Sequence, residues 1–508
     1  MARDLAAEPL LPVDDIQGDV LIGLLKRVER LIFFHISDAG EFKQFVSNLR
    51  ITSARDCLNQ RALVDDRKAK GIDSLMPTPG LNIAFTRAGL HTLDVRGIDT
   101  AGDLQAFSSG MGSREAILGD PPQREWAILK SPRDLHGVFV LTGTSAAELA
   151  DTISRHLAPP TANGWRSLHE EFGVVRPDPV KGHEHFGFAD GVSQPGVRGR
   201  LDDSAPLTPS NSPDENQGAR GQDLLWPGEF VFGFPGQDPN APEFAAKGPN
   251  KKPPIDFMQH GSFLVFRRLR QRVPEFHSAV KQASQGVGAG FERADPELLA
   301  SQMVGRWKSG APIIKAPTAD DLSIADGTPG VNDFEFGDDR TGLLCPWAAH
   351  IRKAYPRNDV RGNVSPDDAT VNAAEAFTQT HRMLRRGITF GPELTEEEAL
   401  SGHSKTAHDR GLLFLCYVTS LENQFEFVQQ KWVDSDDFSQ PKAGTDPIIG
   451  STRQPHPFMG AAPVTKDPDR KPQLRFPAFV EMQGGEYFFA PSITALRGLA
   501  KRDASPAA

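Results

Sequence analysis

Two stretches of the chain share one plan, and that plan restricts the fold more than any other feature. The first, LIFFHISDAGEFKQFVSNL (31–49), is an apolar run of strand length followed by an amphipathic helix. Phe42, Phe45, Val46 and Leu49 fall at i, i+3, i+4 and i+7, and Asp38 with Glu41 has the form of a capping box. The second, GSFLVFRRLRQRVPEFHSAVKQA (261–283), repeats the order. An apolar strand precedes Pro274 near the first helical position, and Phe276, Ala279, Val280 and Ala283 follow at the same spacing. A strand feeding a helix in each half points to a duplicated α+β unit with its helices packed on antiparallel sheets. Residues 202–256, rich in Pro, Gly, Asn and Asp, read as a long connection expected to run over the surface. The expected organisation is therefore one unit over 1–201, the connection, and a second unit over 257–508.

A length of 508 residues supports two such units, being more than one hydrophobic core usually serves. The formal net charge of −10 argues against nucleic acid as a partner, because phosphate binding needs a basic face. No apolar run approaches the roughly 20 residues that cross a bilayer; LIFFHI (31–36) and GLLFLCYV (411–418) have strand length. No membrane partner is expected. Cys57, Cys345 and Cys416 are few and odd in number, which fits free thiols in a reducing compartment better than a disulfide framework. The first residues carry acids where a signal peptide needs a basic start.

Several chemistries have no motif here. The chain contains no GxxxxGK[ST] phosphate loop, GxSxG elbow, HExxH zinc helix or CxxCH haem attachment. GVGAGF (286–291) has the glycines of a dinucleotide loop but follows a helical pattern, and Asn363-Val364-Ser365 is a lone glycosylation acceptor. The stretch KGHEHFGFADGVSQPGV (181–197) is compatible with a metal site, a tight turn or a catalytic acid. His183, Glu184 and His185 are suitable ligand types, yet i and i+2 share a face only on a strand and no third ligand is evident nearby. That favours hydrogen-bonded histidines beside a turn.

Four stretches are hard to explain separately: GFADG (187–191), CPWAAHIRKAYPR (345–357), HRMLRRGITFG (381–391) and RGLLFLCYVTS (410–420). Together, in this order, they resemble the dye-decolourising peroxidase family of haem peroxidases. GFADG matches the family's GxxDG motif, and AAHIRK with the Pro-Arg beyond it is similar to the haem-ligand segment. LRRG with the following FG resembles the distal-arginine segment, and GLLFLCYVTS the strand that closes the pocket. IQGDVLIGL (16–24) and DPIIG (446–450) also resemble family segments, so the likeness spans nearly the whole chain and is nearest to the long fungal-type members.

The resemblance implies an α+β fold of two ferredoxin-like domains, of the dimeric α+β barrel type, with haem b held noncovalently in the C-terminal half. It implies reduction of hydrogen peroxide and one-electron oxidation of bulky aromatic donors, dyes and phenols, through a ferryl intermediate, by a monomer or small homo-oligomer. A haem-binding or haem-handling protein without significant turnover is the alternative on this fold, although keeping both Asp190 and Arg385 exceeds what storage requires. A non-haem metal hydrolase centred on His183, Glu184 and His185 leaves the AHIRK and LRRG segments unexplained.

On the same resemblance His350 is the proximal iron ligand, and Asp446 of DPIIG is the candidate acceptor for its second ring nitrogen. Asp190 is the acid that relays a proton between the oxygens of peroxide; read alone, it is an Asx-turn residue between two glycines. Arg385 is the distal arginine, a permanent cation where negative charge grows on the departing oxygen, with Arg386 the one-residue alternative. Leu412 and Phe414, at i and i+2 of a strand, share one side, which the resemblance makes the distal pocket. Arg357 matches an arginine that pairs with a haem propionate, and Arg352 is a second candidate.

Trp432 has two readings. Phe425, Val428 and Trp432 share helical spacing and a core face, whereas the family places a surface tryptophan there to relay oxidising equivalents. Phe390 stands where some fungal members carry a tyrosine, and it cannot form a phenoxyl radical. Thiols and the acidic start point to the cytoplasm while fungal relatives are frequently extracellular, so the compartment stays open. Manganese oxidation at acidic pairs such as Asp202–Asp203 or Asp367–Asp368 stays open too.

Overall fold

The computed structural model describes residues 3–98, 104–130, 132–241, 245–285, 295–359, 368–450, 455–460 and 473–501. GVGAGF, the Asn363 acceptor and Asp367 lie outside them. Among the described residues nine strands form the main sheet, every pair antiparallel. They are β1 (Val28–Ile36), β2 (Gly80–Phe85), β3 (Gly137–Gly143), β4 (Trp165–Val174), β5 (Ser262–Gln271), β6 (Leu384–Arg385), β7 (Ile388–Phe390), β8 (Gly411–Val418) and β9 (Val480–Ala490). Their order is β6-β8-β5-β9-β2-β3-β1-β4, with β7 also paired to β8.

Each half uses one arrangement. Its first and third strands lie at the centre, the second beside the third and the fourth beside the first. Helices α1 (Ala39–Asn48) and α2 (Ala146–His156) follow β1 and β3, and α3 (Val273–Ala283) follows β5. This is the expected α+β architecture of two ferredoxin-like units. The halves join where Phe489 of β9 pairs with Phe85 of β2. At the opposite edges Thr389 Oγ1 donates to Val174 O at 2.5 Å, but no ladder forms, so the curled sheet is not a closed barrel.

Period-2 geometry explains why the strand sequences read as continuous apolar runs. Along β1, Leu31 and Phe33 enter one buried cluster and Ile32 and Phe34 another; along β5, Leu264 and Phe266 join the first and Phe263 and Val265 the second. The second cluster also takes Phe42 and Val46 of α1, so it lies between sheet and helices. Both halves therefore share both cores.

Two expectations change. Asp38 does cap α1, accepting the Glu41 N–H at 2.9 Å, but its own N–H donates to Gly164 O at 3.1 Å, so half of the box is replaced by a tertiary contact. The 202–256 connection is not confined to the surface. Leu225, Phe230, Val231 and Phe234 are buried in the cluster fed by Phe33, because the LLWPGEFVF stretch and the residues after it are apolar enough to be worth enclosing.

Candidate active site

GFADG folds as a turn built by its flanking residues. Gly187 (φ +102°) and Gly191 (φ +75°) occupy backbone space that side-chain-bearing residues avoid. Glu184 accepts the N–H groups of Phe186 at 2.8 Å and Phe188 at 2.9 Å, and also the Gln271 amide on β5. His183 Nδ1 lies 2.8 Å from Gly187 O, and His185 Nε2 lies 2.9 Å from Phe390 O. Burial pushes the His185 pKa down to about 4, so the ring is neutral near pH 7. The HEH residues thus shape the turn, and among the described residues no group of three His, Cys, Asp or Glu is placed to hold a metal ion. Asp190 sits exposed at its tip; its Oδ1 accepts the Gly191 N–H at 2.7 Å. The Asx-turn reading is therefore correct as local structure, and it leaves the second carboxylate oxygen available.

Asp190, Arg385, His350, Leu412 and Phe414 all line one cavity of about 260 Å³. Leu412 and Phe414 stand opposite Leu269 and Arg267 of β5, sharing a sheet face as their spacing requires. Arg385 Nη2 donates to Ser193 O at 2.6 Å, and Gln194 brackets the arginine backbone with contacts of 3.0 and 3.3 Å. The loop carrying Asp190 thereby holds the arginine as well. Arg386 turns the other way, donating to Asp19 O at 2.7 Å and Leu21 O at 3.2 Å, and does not line the cavity.

His350 opens the short helix α4 (His350–Ala354), and its Nδ1 lies 2.8 Å from Asp446 Oδ2. Asp446 is fully buried, its Oδ1 held by the Ile448 and Ile449 N–H groups at 2.7 and 3.1 Å. Burial disfavours the imidazolium, but the charge and hydrogen bond of Asp446 outweigh it and raise the His350 pKa. With Nδ1 committed, Nε2 is the nitrogen left for the cavity.

A second space of about 100 Å³ adjoins the first and shares His350, Arg306 and Arg385 with it. Arg357 lines this space at φ +53°, a strained value for a non-glycine residue. Its Nη1 donates to Phe334 O at 2.8 Å, while Nη2 is buried without a hydrogen-bond partner. Arg352 behaves differently. It lines neither space, and its donors go to Asp359 (2.7 Å), Asp339 (3.1 Å) and the carbonyls of Cys345 and Asp339. Two buried carboxylates claim it, so it anchors α4 away from both spaces. Arg306 had no motif to mark it, yet it lines both spaces; burial, with Arg357 and Arg385 beside it, pushes its pKa down to about 9. The buried Arg267–Asp120 pair, also in the cavity wall, was equally invisible.

Trp432 is 1% exposed, stacked on Phe438 at 5.4 Å and edge-on to His381 at 5.1 Å. This is the packing that the core reading expects, with no exposed indole edge. Its segment is also wound as π-helical turns (Leu421–Glu426 and Val428–Val433), which aim Phe425 and Val428, but not Trp432, at the cavity. Trp432→Ala is expected to destabilise the fold by about 3–5 kcal/mol in denaturant titrations. Trp432→Phe should slow bulky dyes no more than small donors; selective loss of dye turnover would restore the relay reading.

Comparison with known proteins gives the family. The DyP dimeric alpha+beta barrel domain model matches residues 15–177, and the Dyp-type peroxidase C-terminal model matches 250–443. Peroxidase 2 of Mycetinis scorodonius is 34% identical, over 98% of this chain and 89% of its own length. The multifunctional dye peroxidase DyP2 of an Amycolatopsis species is 30% identical over 98% of both chains. The structure of an ancestral D-type dye-decolorizing peroxidase superposes with a TM-score of 0.76 at 34% identity, covering 96% of this chain and 99% of that one. A dye-decolorizing peroxidase in complex with 2,6-dimethoxyphenol gives 0.74 at 32% identity, with 97% and 100% covered. Shared sequence over nearly the full length, a shared fold, and a cavity that gathers the GxxDG acid, the AHIRK histidine and the LRRG arginine have one explanation: the chain belongs to the dye-decolourising peroxidase family.

Proposed function

We propose that this peroxidase binds haem b noncovalently in the cavity, with His350 as iron ligand, Asp190 as proton relay and Arg385 as the distal cation. The observation that carries the reading is that His350, held by Asp446, lines the same cavity as Asp190 and Arg385. Haem fits the residues present. Arg357 Nη2 is a buried donor without a partner, and Arg306 and Arg385 add positive charge at the same edge, where two propionates would be held. None of the three buried cysteines lines the cavity, so thioether attachment has no donor.

Haem held there would supply the redox chemistry, the two-electron reduction of peroxide and one-electron oxidation of aromatic donors. The chain supplies the rest. Asp190, free at one oxygen, moves a proton from one peroxide oxygen to the other. Arg385, fixed through Ser193, keeps its charge beside the oxygen that becomes negative. Leu412 and Phe414 restrict water and admit small peroxides. Asp446 holds the Nδ1–H of His350, which sets the tautomer that offers Nε2 to iron. Aromatic donors are the reducing substrates, supported by the phenol complex of the similar structure. Two units, 1–201 and 257–508, joined by 202–256, are the domain reading; the repeated strand order supports it, and the family models match 15–177 and 250–443.

Two measurements test this. Haem-loaded protein should show a Soret band that shifts when peroxide is added; an unchanged band would remove the peroxidase reading. Asp446→Asn is expected to lower haem affinity by about 10–100-fold in haem titrations, because the ligand loses the group that orients it.

A further inference from the structure

Helix α4 carries a second buried charge that the reading above leaves idle. Lys353, three residues after His350, is completely buried. Its Nζ donates to the carbonyls of Ser435, at 2.7 Å, and of Phe438, and lies 5.6 Å from the centre of the Phe438 ring. Those carbonyls belong to the loop that ends on Asp446. The loop is folded on itself, with the Gly444 N–H donating to Asp436 O at 3.0 Å and the Asp446 N–H to Val433 O at 2.9 Å. One ammonium thus moors, to the helix of the iron ligand, the loop that presents the ligand's partner.

Mooring alone does not require a charge. A buried ammonium held only by carbonyls is costly, and an apolar side chain of similar length would fill the space at less expense. Among the described residues Lys353 makes no salt bridge; the negative charges of Asp446, then Asp436, Asp434 and Asp437, favour its ammonium from the loop it holds. Burial pushes its pKa down to about 7 against their pull, so at pH 5 it carries its charge. A carboxylate that accepts the Nδ1–H bond gives an imidazole ligand anionic character and makes it a stronger donor to iron. A cation beside that carboxylate works in the opposite direction.

We propose that Lys353 is a positioning residue for the peroxidase reaction: its charge tempers the hydrogen bond from His350 to Asp446 and thereby sets the donor strength of the iron ligand. The inference rests on His350 being that ligand.

The test is the ferric/ferrous midpoint potential of the haem-loaded protein at pH 5, with the iron–histidine stretching frequency of the ferrous form as a second readout. Lys353→Met removes charge and mooring together; Lys353→Gln removes the charge but keeps amide donors for the two carbonyls, and carries the test alone if the methionine variant does not fold. Lys353→Gln is expected to shift the potential to more negative values and raise the stretching frequency. In an Asp446→Asn background the same substitution should move neither. A potential that is unchanged, that rises, or that shifts equally in both backgrounds overturns the proposal. A potential indifferent to Asp446→Asn alone overturns instead the ligand assignment beneath it.

Discussion

His350→Ala is expected to leave the chain folded and without haem. The Soret absorbance per chain should fall by more than about tenfold, since losing even the group that orients a metal ligand costs about 10–100-fold in affinity. The fold should survive, because His350 is only partly buried and α4 is also anchored by Arg352, through Asp339 and Asp359, and by Lys353. Removing the ring leaves Asp446 still held by two backbone N–H groups, which limits the cost of its lost partner. Imidazole added in solution is expected to restore part of the Soret band by entering the vacated position. Haem retention at the wild-type level would show that iron is held elsewhere.

The second large effect is on the reaction with peroxide. Asp190→Asn should slow it by about 10²–10⁴-fold, the range for losing a positioned proton-transfer group. Asparagine can still accept the Gly191 N–H through its amide oxygen, so the turn is kept and the proton alone is removed. Arg385→Leu should cost about 10²–10³-fold, the scale of one oriented donor at a developing oxyanion. It also breaks the bond to Ser193 O, so Arg385→Lys, which retains charge without the planar donor group, should fall between the two. Stopped-flow mixing with peroxide separates these rates from later donor oxidation. Two variants reacting as fast as the parent would exclude both roles even with haem bound.

Periodic features could be read directly along the chain. β1 with α1, and β5 with α3, follow from local spacing, because a helix face and a strand face each impose their own repeat on neighbouring residues. The GFADG turn was legible too, since two glycines mark where the backbone must take positive φ. Elsewhere the local signal misled or was silent. The Pro/Gly-rich connection hid the apolar stretch 224–234, and Glu41 was credited with a hydrogen bond that Gly164 supplies from far along the chain. Arg352 and Arg357 look equivalent as cations near a histidine. Only burial beside Asp339 and Asp359 separates the committed one from the one with a spare donor. The spacing of Phe425, Val428 and Trp432 carries no record of the π-helical winding that turns the first two toward the cavity.

By itself, then, the sequence determined the repeated α+β plan and, through four ordered motifs, the family, and it marked Asp190, His350 and Arg385 as the candidates. Tertiary structure alone decided the partners. It set Asp446 beside His350 across 96 residues, turned Arg385 rather than Arg386 toward the cavity, buried Trp432, placed Arg306 in the cavity wall and tied Lys353 to the loop that ends on Asp446. The division has a physical cause. Periodicity and turn chemistry act over a few residues, whereas pairing, burial and electrostatic coupling depend on distances that exist only after the chain has closed on itself.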